Sequence, residues 1–239
     1  MKKSLCHSFV LLSFFIFAAT PRAQETIPEN QSAGLKTTKT VEAEAKADAE
    51  TEKKAAEWVS ALGLSDAAKE ARVKEVIFTH LKAVRDWHND HPYTTVPADN
   101  NPVTGKPRNN LERQMLADGA MPKSVHEALM SGLRKDLTEE QVEAVLDLYT
   151  VRKVAFTLAG YHAIVPDLTK KEETKILGLL KQAREQAVDY KNMNQISAIF
   201  EIYKTQSEQY LNSNGRNWKA LYKAYTASVK AKKATEEKK

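Results

Sequence analysis

Cysteine is almost missing from this chain of 239 residues: the single one, Cys6, lies just ahead of the first apolar run. If that segment is removed, the rest has no disulfide, no cysteine metal ligand and no thiol nucleophile. Glycine and proline are scarce as well, and they sit mainly between segments of helical periodicity. No stretch alternates apolar and polar residues between hairpin turns, which argues against a sheet. No apolar run reaches the roughly twenty residues that a membrane-spanning helix needs; Phe9–Ala19 is about half that length. Catalytic signatures are missing too. There is no His-Glu-x-x-His, Gly-x-Ser-x-Gly, phosphate-cradling loop or dinucleotide fingerprint, and His126-Glu127 lacks a second histidine. A carboxylate pair for glycoside hydrolysis is defined by separation in space, so the sequence neither shows nor excludes one.

What is present begins with an export pattern. Lys2 and Lys3 precede the apolar run, and small or polar residues follow at Ala18, Ala19, Thr20, Ala23 and Gln24. That order reads as a cleavable signal peptide over residues 1–23, so the mature protein is expected in the periplasm or outside the cell, without a transmembrane segment. Losing Lys2, Lys3 and Arg22 takes the net charge from +5 to +2. The lysine-rich tail 230–239 carries the rest of the excess, so the body is nearly neutral. A basic balance confined to the ends does not favour nucleic acid, which wants a basic face on the fold.

Residues 24–54 read as a polar leader passing into a solvated Ala/Glu/Lys helix, and 55–229 as one helical domain. Ser65 and Asp66 open an apolar-periodic segment running from Val73 to His88. Capping boxes are expected at Ser124/Glu127, Thr138/Gln141 and Thr169/Glu172, with Leu137 stapling onto Val142. Two later stripes run from Ile196 to Tyr210 and from Trp218 to Val229. The stretch from Val142 to Val165 is apolar on more than one side and predicts a central buried helix. The expected fold is an all-α, single-domain bundle of about five to seven helices. Inside it, residues 91–111 form a long loop, a feature that is uncommon in a compact domain unless it is functional or disordered.

Four segments in order, Trp58–Ser65, Leu137–Val142, Val165–Thr169 and Ala183–Ala187, resemble a family of exported helical domains of unknown function in Gram-negative bacteria. Its members are often encoded among polysaccharide-utilisation genes. The resemblance runs from about Trp58 to Trp218 and implies a fold and a compartment, with no established activity. It departs in the penultimate helix. Where the family pattern is Phe-x-x-Tyr-Lys-Gly-Arg-Ile-Asn-Asn-Tyr-Leu, this chain keeps Phe200, Tyr203, Lys204, Tyr210 and Leu211 but has Thr205–Gln209 between.

Three clusters offer chemistry. Trp87, His88, Asp90, His91 and Tyr93, preceded by Asp86, place two imidazoles one helical turn apart beside an aromatic ring. That suits a sugar site, though two histidines without a fixed third ligand do not amount to a metal centre. The plainer alternative is that Trp87 is core and the histidines decorate a helix C-terminus. Arg152, Tyr161 and His162, with Tyr149 and Lys153, could line a cavity on the central helix or lie along its wet edge. Asn214 and Arg216, with Asn212, form a turn beside the aromatic set Tyr203, Tyr210, Trp218, Tyr222 and Tyr225, which at helical spacing is either core or a ligand platform. No cofactor is implied. Three functions stay open: a non-catalytic binding or accessory protein, its ligand a carbohydrate; a periplasmic hydrolase or lyase acting on glycans; and a helical scaffold for another protein.

Overall fold

The computed structural model describes residues 38–236, and the proposed signal peptide lies outside them. The chain divides into Met1–Val41 and Glu42–Lys239, and both apolar cores and both clefts lie in the second unit. The described residues are helical, with no strand beyond an isolated bridge between Asn100 and Pro107. Nine α-helices are present among them: α1 Thr38–Ser60, α2 Ala67–Asp90, α3 Asn110–Asp118, α4 Lys123–Asp136, α5 Glu139–Tyr149, α6 Lys153–Ile164, α7 Lys170–Ala187, α8 Met193–Ser213 and α9 Trp218–Glu236. The all-α class stands, whereas the expected count of five to seven is too low. None of these helices is long and apolar enough to cross a membrane.

The helix starts follow side-chain chemistry. Asp66 accepts from the amides of Ala68 and Lys69, and full capping boxes form at Thr138/Gln141 and Thr169/Glu172. A third box, Asn109/Glu112, opens α3 at the end of the long loop. The box expected at Ser124/Glu127 does not form, because α4 starts earlier, with Pro122 at the N-cap and Ser124 already inside the first turn.

The largest correction concerns residues 142–165. Instead of one buried helix there are two, broken where consecutive residues Val151 and Arg152 take φ of 52° and 55°. That left-handed conformation costs non-glycine residues roughly 1–2 kcal/mol each, so packing on both sides holds it. On one side Tyr149 and Thr150 are buried, and Thr150 Oγ1 donates to the Leu146 carbonyl. On the other, Val154 and Tyr161 are buried. The apolar character of α6 does not reflect full burial, since Phe156 is 79% exposed.

Two apolar cores result. One joins Ala55 and Val59 of α1 to Val73 and Ile77 of α2, Leu129 and Leu133 of α4, and Val142 and Val145 of α5. Leu137 and Val142, the expected staple pair, are both buried in it. The second joins α6, α7 and α8 through Tyr161, Ile176, Leu180, Ile199, Phe200 and Leu211. Helices α2 and α4 meet at Gly132, where an added Cβ would lie 2.7 Å from Val76 Cγ2 and 2.9 Å from its Cγ1. Overpacking there costs typically 1–3 kcal/mol, against about 1 kcal/mol of helix propensity that alanine brings. Gly132→Ala is therefore expected to lower stability by about 1 kcal/mol in urea unfolding; a gain in midpoint would show that the contact is loose.

Candidate functional site

The first predicted cluster folds into the seam between α2 and α3. The indole N–H of Trp87 donates to the Ala117 carbonyl at 3.0 Å, and its ring stacks on His91 with centroids 3.7 Å apart. His91 in turn contacts the Trp87 carbonyl through Nδ1. His88 meets the buried carboxylate of Asp118 at 2.7 Å, and Gln114 and Gln195 donate to the same carboxylate. The two histidines thus have different partners and do not converge. Asp90 is exposed at the helix end, while Asp86 pairs with Lys82 and Arg85. Tyr93 begins a short 3-10 turn and lies under the Arg113 guanidinium. The long loop is tied to α3 by Arg113, which donates to the Val96 carbonyl, and by Gln114, which donates to that of His91. Among the described residues no group of three or more His, Cys, Asp or Glu is placed to hold a metal ion.

The second cluster separates. Arg152 is exposed at the α5–α6 break, and His162 is exposed on α6. Tyr161 is buried, its hydroxyl donating to the Lys204 carbonyl and its ring 5.3 Å from that of Trp218. In the third cluster Asn214 is the exposed C-cap of α8. Arg216 is an anchor. Its guanidinium donates to both carboxylate oxygens of buried Glu172 at 2.7 and 2.8 Å, and to the side chain and carbonyl of Asp167. Hydrogen bonds from Arg216, stronger than the burial that opposes them, hold the Glu172 carboxyl down at about 2.

Tyr161, Trp218, Tyr222 and Tyr225 meet in one groove, bounded by α6, α8 and α9. Its volume is about 660 Å³, within the range of small-molecule sites. The spacing explains the assembly. Phe156 and Gly160 on α6, Lys204 and Glu208 on α8, and Trp218 and Tyr222 on α9 are each four residues apart, so each pair shares a helix face. The rings of Trp218 and Tyr222 are near parallel, 28° apart with centroids at 6.1 Å, and Tyr222 is 51% exposed. Trp218 is fixed by its backbone amide, which donates to Asn212 Oδ1. Lys204 is bound by Glu201 at 2.9 and 3.1 Å. Burial pushes the Glu208 carboxyl up, opposed by Lys204 and assisted by Glu201.

Phe156, Lys204 and Glu208 were not candidates in the sequence. The available signals were the two-sided apolarity of α6 and the departure at Thr205–Gln209, which contains Glu208. A binding surface and a buried surface look alike in a hydropathy pattern.

Residues 48–231 match a family described as a protein of unknown function (DUF3826). No curated protein matches the chain.

Proposed function

The chain belongs to this family of unknown function, and from that premise we propose that it is an exported protein that binds a neutral carbohydrate in the groove between α6, α8 and α9. The observation that carries this reading is the near-parallel pair of half-buried Trp218 and exposed Tyr222, beside a carboxylate and an ammonium in the groove. Aromatic faces stack on the apolar face of a sugar ring while polar groups take its hydroxyls. Lys204, the cation lining the groove, is already held by Glu201, which leaves Glu208 as surplus negative charge. That charge disfavours uronates and sulfated sugars. The basic start and apolar run at the N-terminus support export. The resemblance to exported proteins of Gram-negative bacteria, encoded near polysaccharide-utilisation genes, supports the same reading.

Gly160 offers a test that keeps the fold intact. It lines the groove, and a Cβ added there meets no atom within 4 Å. Gly160→Leu should therefore fill the groove while raising helix propensity by roughly 0.8 kcal/mol. The expected result is loss of calorimetric binding to a neutral oligosaccharide with an unchanged or higher melting temperature. Wild-type-like binding by this variant would count against the groove. A partner protein is the competing occupant, favoured by the 79% exposure of Phe156. It gains ground if a panel of neutral and acidic oligosaccharides gives no heat of binding at all.

A further inference from the structure

A second cleft, of about 550 Å³, opens between α4 and α7, and its chemistry differs from that of the aromatic groove. Asp189, after α7, accepts from two imidazoles. His80 Nε2 lies 3.0 Å from one carboxylate oxygen and His126 Nδ1 lies 2.9 Å from the other. His80 is buried, and its remaining nitrogen faces the Tyr149 hydroxyl at 3.2 Å. Burial keeps that phenol protonated far above its ordinary range, and a neutral His80 that gives its Nε2–H to Asp189 has Nδ1 free to accept from it. The chain of donors then has one direction: Tyr149 to His80, His80 to Asp189, and His126 Nδ1–H to Asp189. A carboxylate can only accept, so neutral His126 is left with its lone pair on Nε2. His126 lines the cleft, and the nearest acid to Nε2, Glu185 Oε1, is at 3.8 Å, too far for a hydrogen bond.

We propose that this cleft is a general-base site in which His126 activates water against a neutral carboxylic ester, with Asp189, His80 and Tyr149 as positioning residues. The geometry is the base-and-orienter half of a hydrolytic triad, with water in place of a serine. His126 Nε2 takes a proton from water, and the water oxygen bonds to the ester carbonyl carbon. The carbon–oxygen bond to the alcohol then breaks, and His126 returns its proton to the departing alkoxide. Ester and water give acid and alcohol, with the imidazole regenerated. Lys123, on the same wall, is the cation available to the transient oxyanion. The charge of the cleft selects the substrate class. Asp118, Glu127, Glu185 and Asp189 line it against Lys123 and a neutral His126, so anionic substrates are repelled. Esters also need less help from an acid at the leaving group than amides or glycosides do.

The hydrogen bond to Asp189 raises the His126 ring above its ordinary value, burial opposes it, and Asp189 and Glu185 add to the rise through their charge. Hydrolysis should therefore increase with pH through one ionisation above the usual imidazole midpoint of about 6.5. The test uses the full chain with p-nitrophenyl acetate. Expected results are a fall in kcat/KM of about 100-fold or more in His126→Gln, the usual worth of a general base, and a lower-pH midpoint in Asp189→Asn. A His126→Gln rate within about threefold of wild type, or a pH profile flat between about 5.5 and 8.5, would overturn the proposal. Ring nitrogen NMR on the unmutated protein gives an independent readout should a variant not fold. The Nδ1–H tautomer of His126 is expected, and the Nε2–H tautomer would sink the assignment.

Discussion

Arg216→Ala is expected to remove about 3–5 kcal/mol of stability, which is the usual result of leaving one charge of a buried pair without its partner. The Glu172 side chain is 6% exposed, and Arg216 supplies a bidentate fork to both its oxygens. Truncation leaves that carboxylate with only Thr169, whose amide and hydroxyl donate to Oε2 within the α7 capping box. The loss extends to the groove, because Arg216 also ties Asp167, just after α6, to the turn that leads into Trp218. In a chain of this length such a change lowers the melting temperature by roughly 6–20 °C. The pH dependence carries its own sign. Glu172 has its folded value depressed from 4.5 to about 2, so the pair's contribution is fully present above pH 4.5. It is lost as the pH falls toward 2, and the gap between wild type and Arg216→Ala should narrow over that window. Thermal melts of both proteins at neutral and acidic pH check it, and a gap that is constant with pH would contradict it.

Trp218→Ala is expected to weaken neutral-oligosaccharide binding by about 30-fold or more, roughly the 2 kcal/mol of a central aromatic anchor. Trp218 contacts the buried ring of Tyr161 on one side and stacks toward Tyr222 on the other, so it joins the second core to the groove. That position also makes it structural, so Tyr222→Ala is the needed companion. Tyr222 is half-exposed, and its removal should cost about 1 kcal/mol of affinity with little change in melting temperature. Calorimetric titration of the three proteins with one oligosaccharide gives the ordering. Equal affinity for wild type and Tyr222→Ala would place the ligand elsewhere.

The readable parts of the fold were those written in local chemistry. Thr138 with Gln141 and Thr169 with Glu172 announce helix starts because the spacing itself makes the hydrogen bonds. The break at Val151 and Arg152 was not legible, since valine is among the residues least suited to a left-handed turn. Tertiary packing overrode that preference. Helix α3 stayed hidden because its Asn109/Glu112 box lies at the end of a segment read as loop. For the sites, helical spacing grouped Trp218, Tyr222 and Tyr225 and left Tyr161 in a separate cluster, yet could not say that α6 and α9 face each other across one groove. Arg216 shows the reverse error. An arginine in an asparagine-rich turn suggested a ligand contact, and the structure gives it Glu172 and Asp167 instead. The relay from Tyr149 to His126 joins residues as far apart in the chain as His80 and Asp189, a distance no motif spans.

The most direct test uses the three tryptophans, which occupy three different settings. Trp58 packs on the first core, the Trp87 indole is bonded to the Ala117 carbonyl, and Trp218 faces the groove. Their indole N–H resonances can be followed by NMR while a neutral oligosaccharide is titrated into the unmutated protein. Carbohydrate binding in the groove predicts a saturable shift of the Trp218 signal with Trp58 and Trp87 unmoved. A shift confined to Trp87, or no shift of Trp218 at saturating sugar, would contradict it.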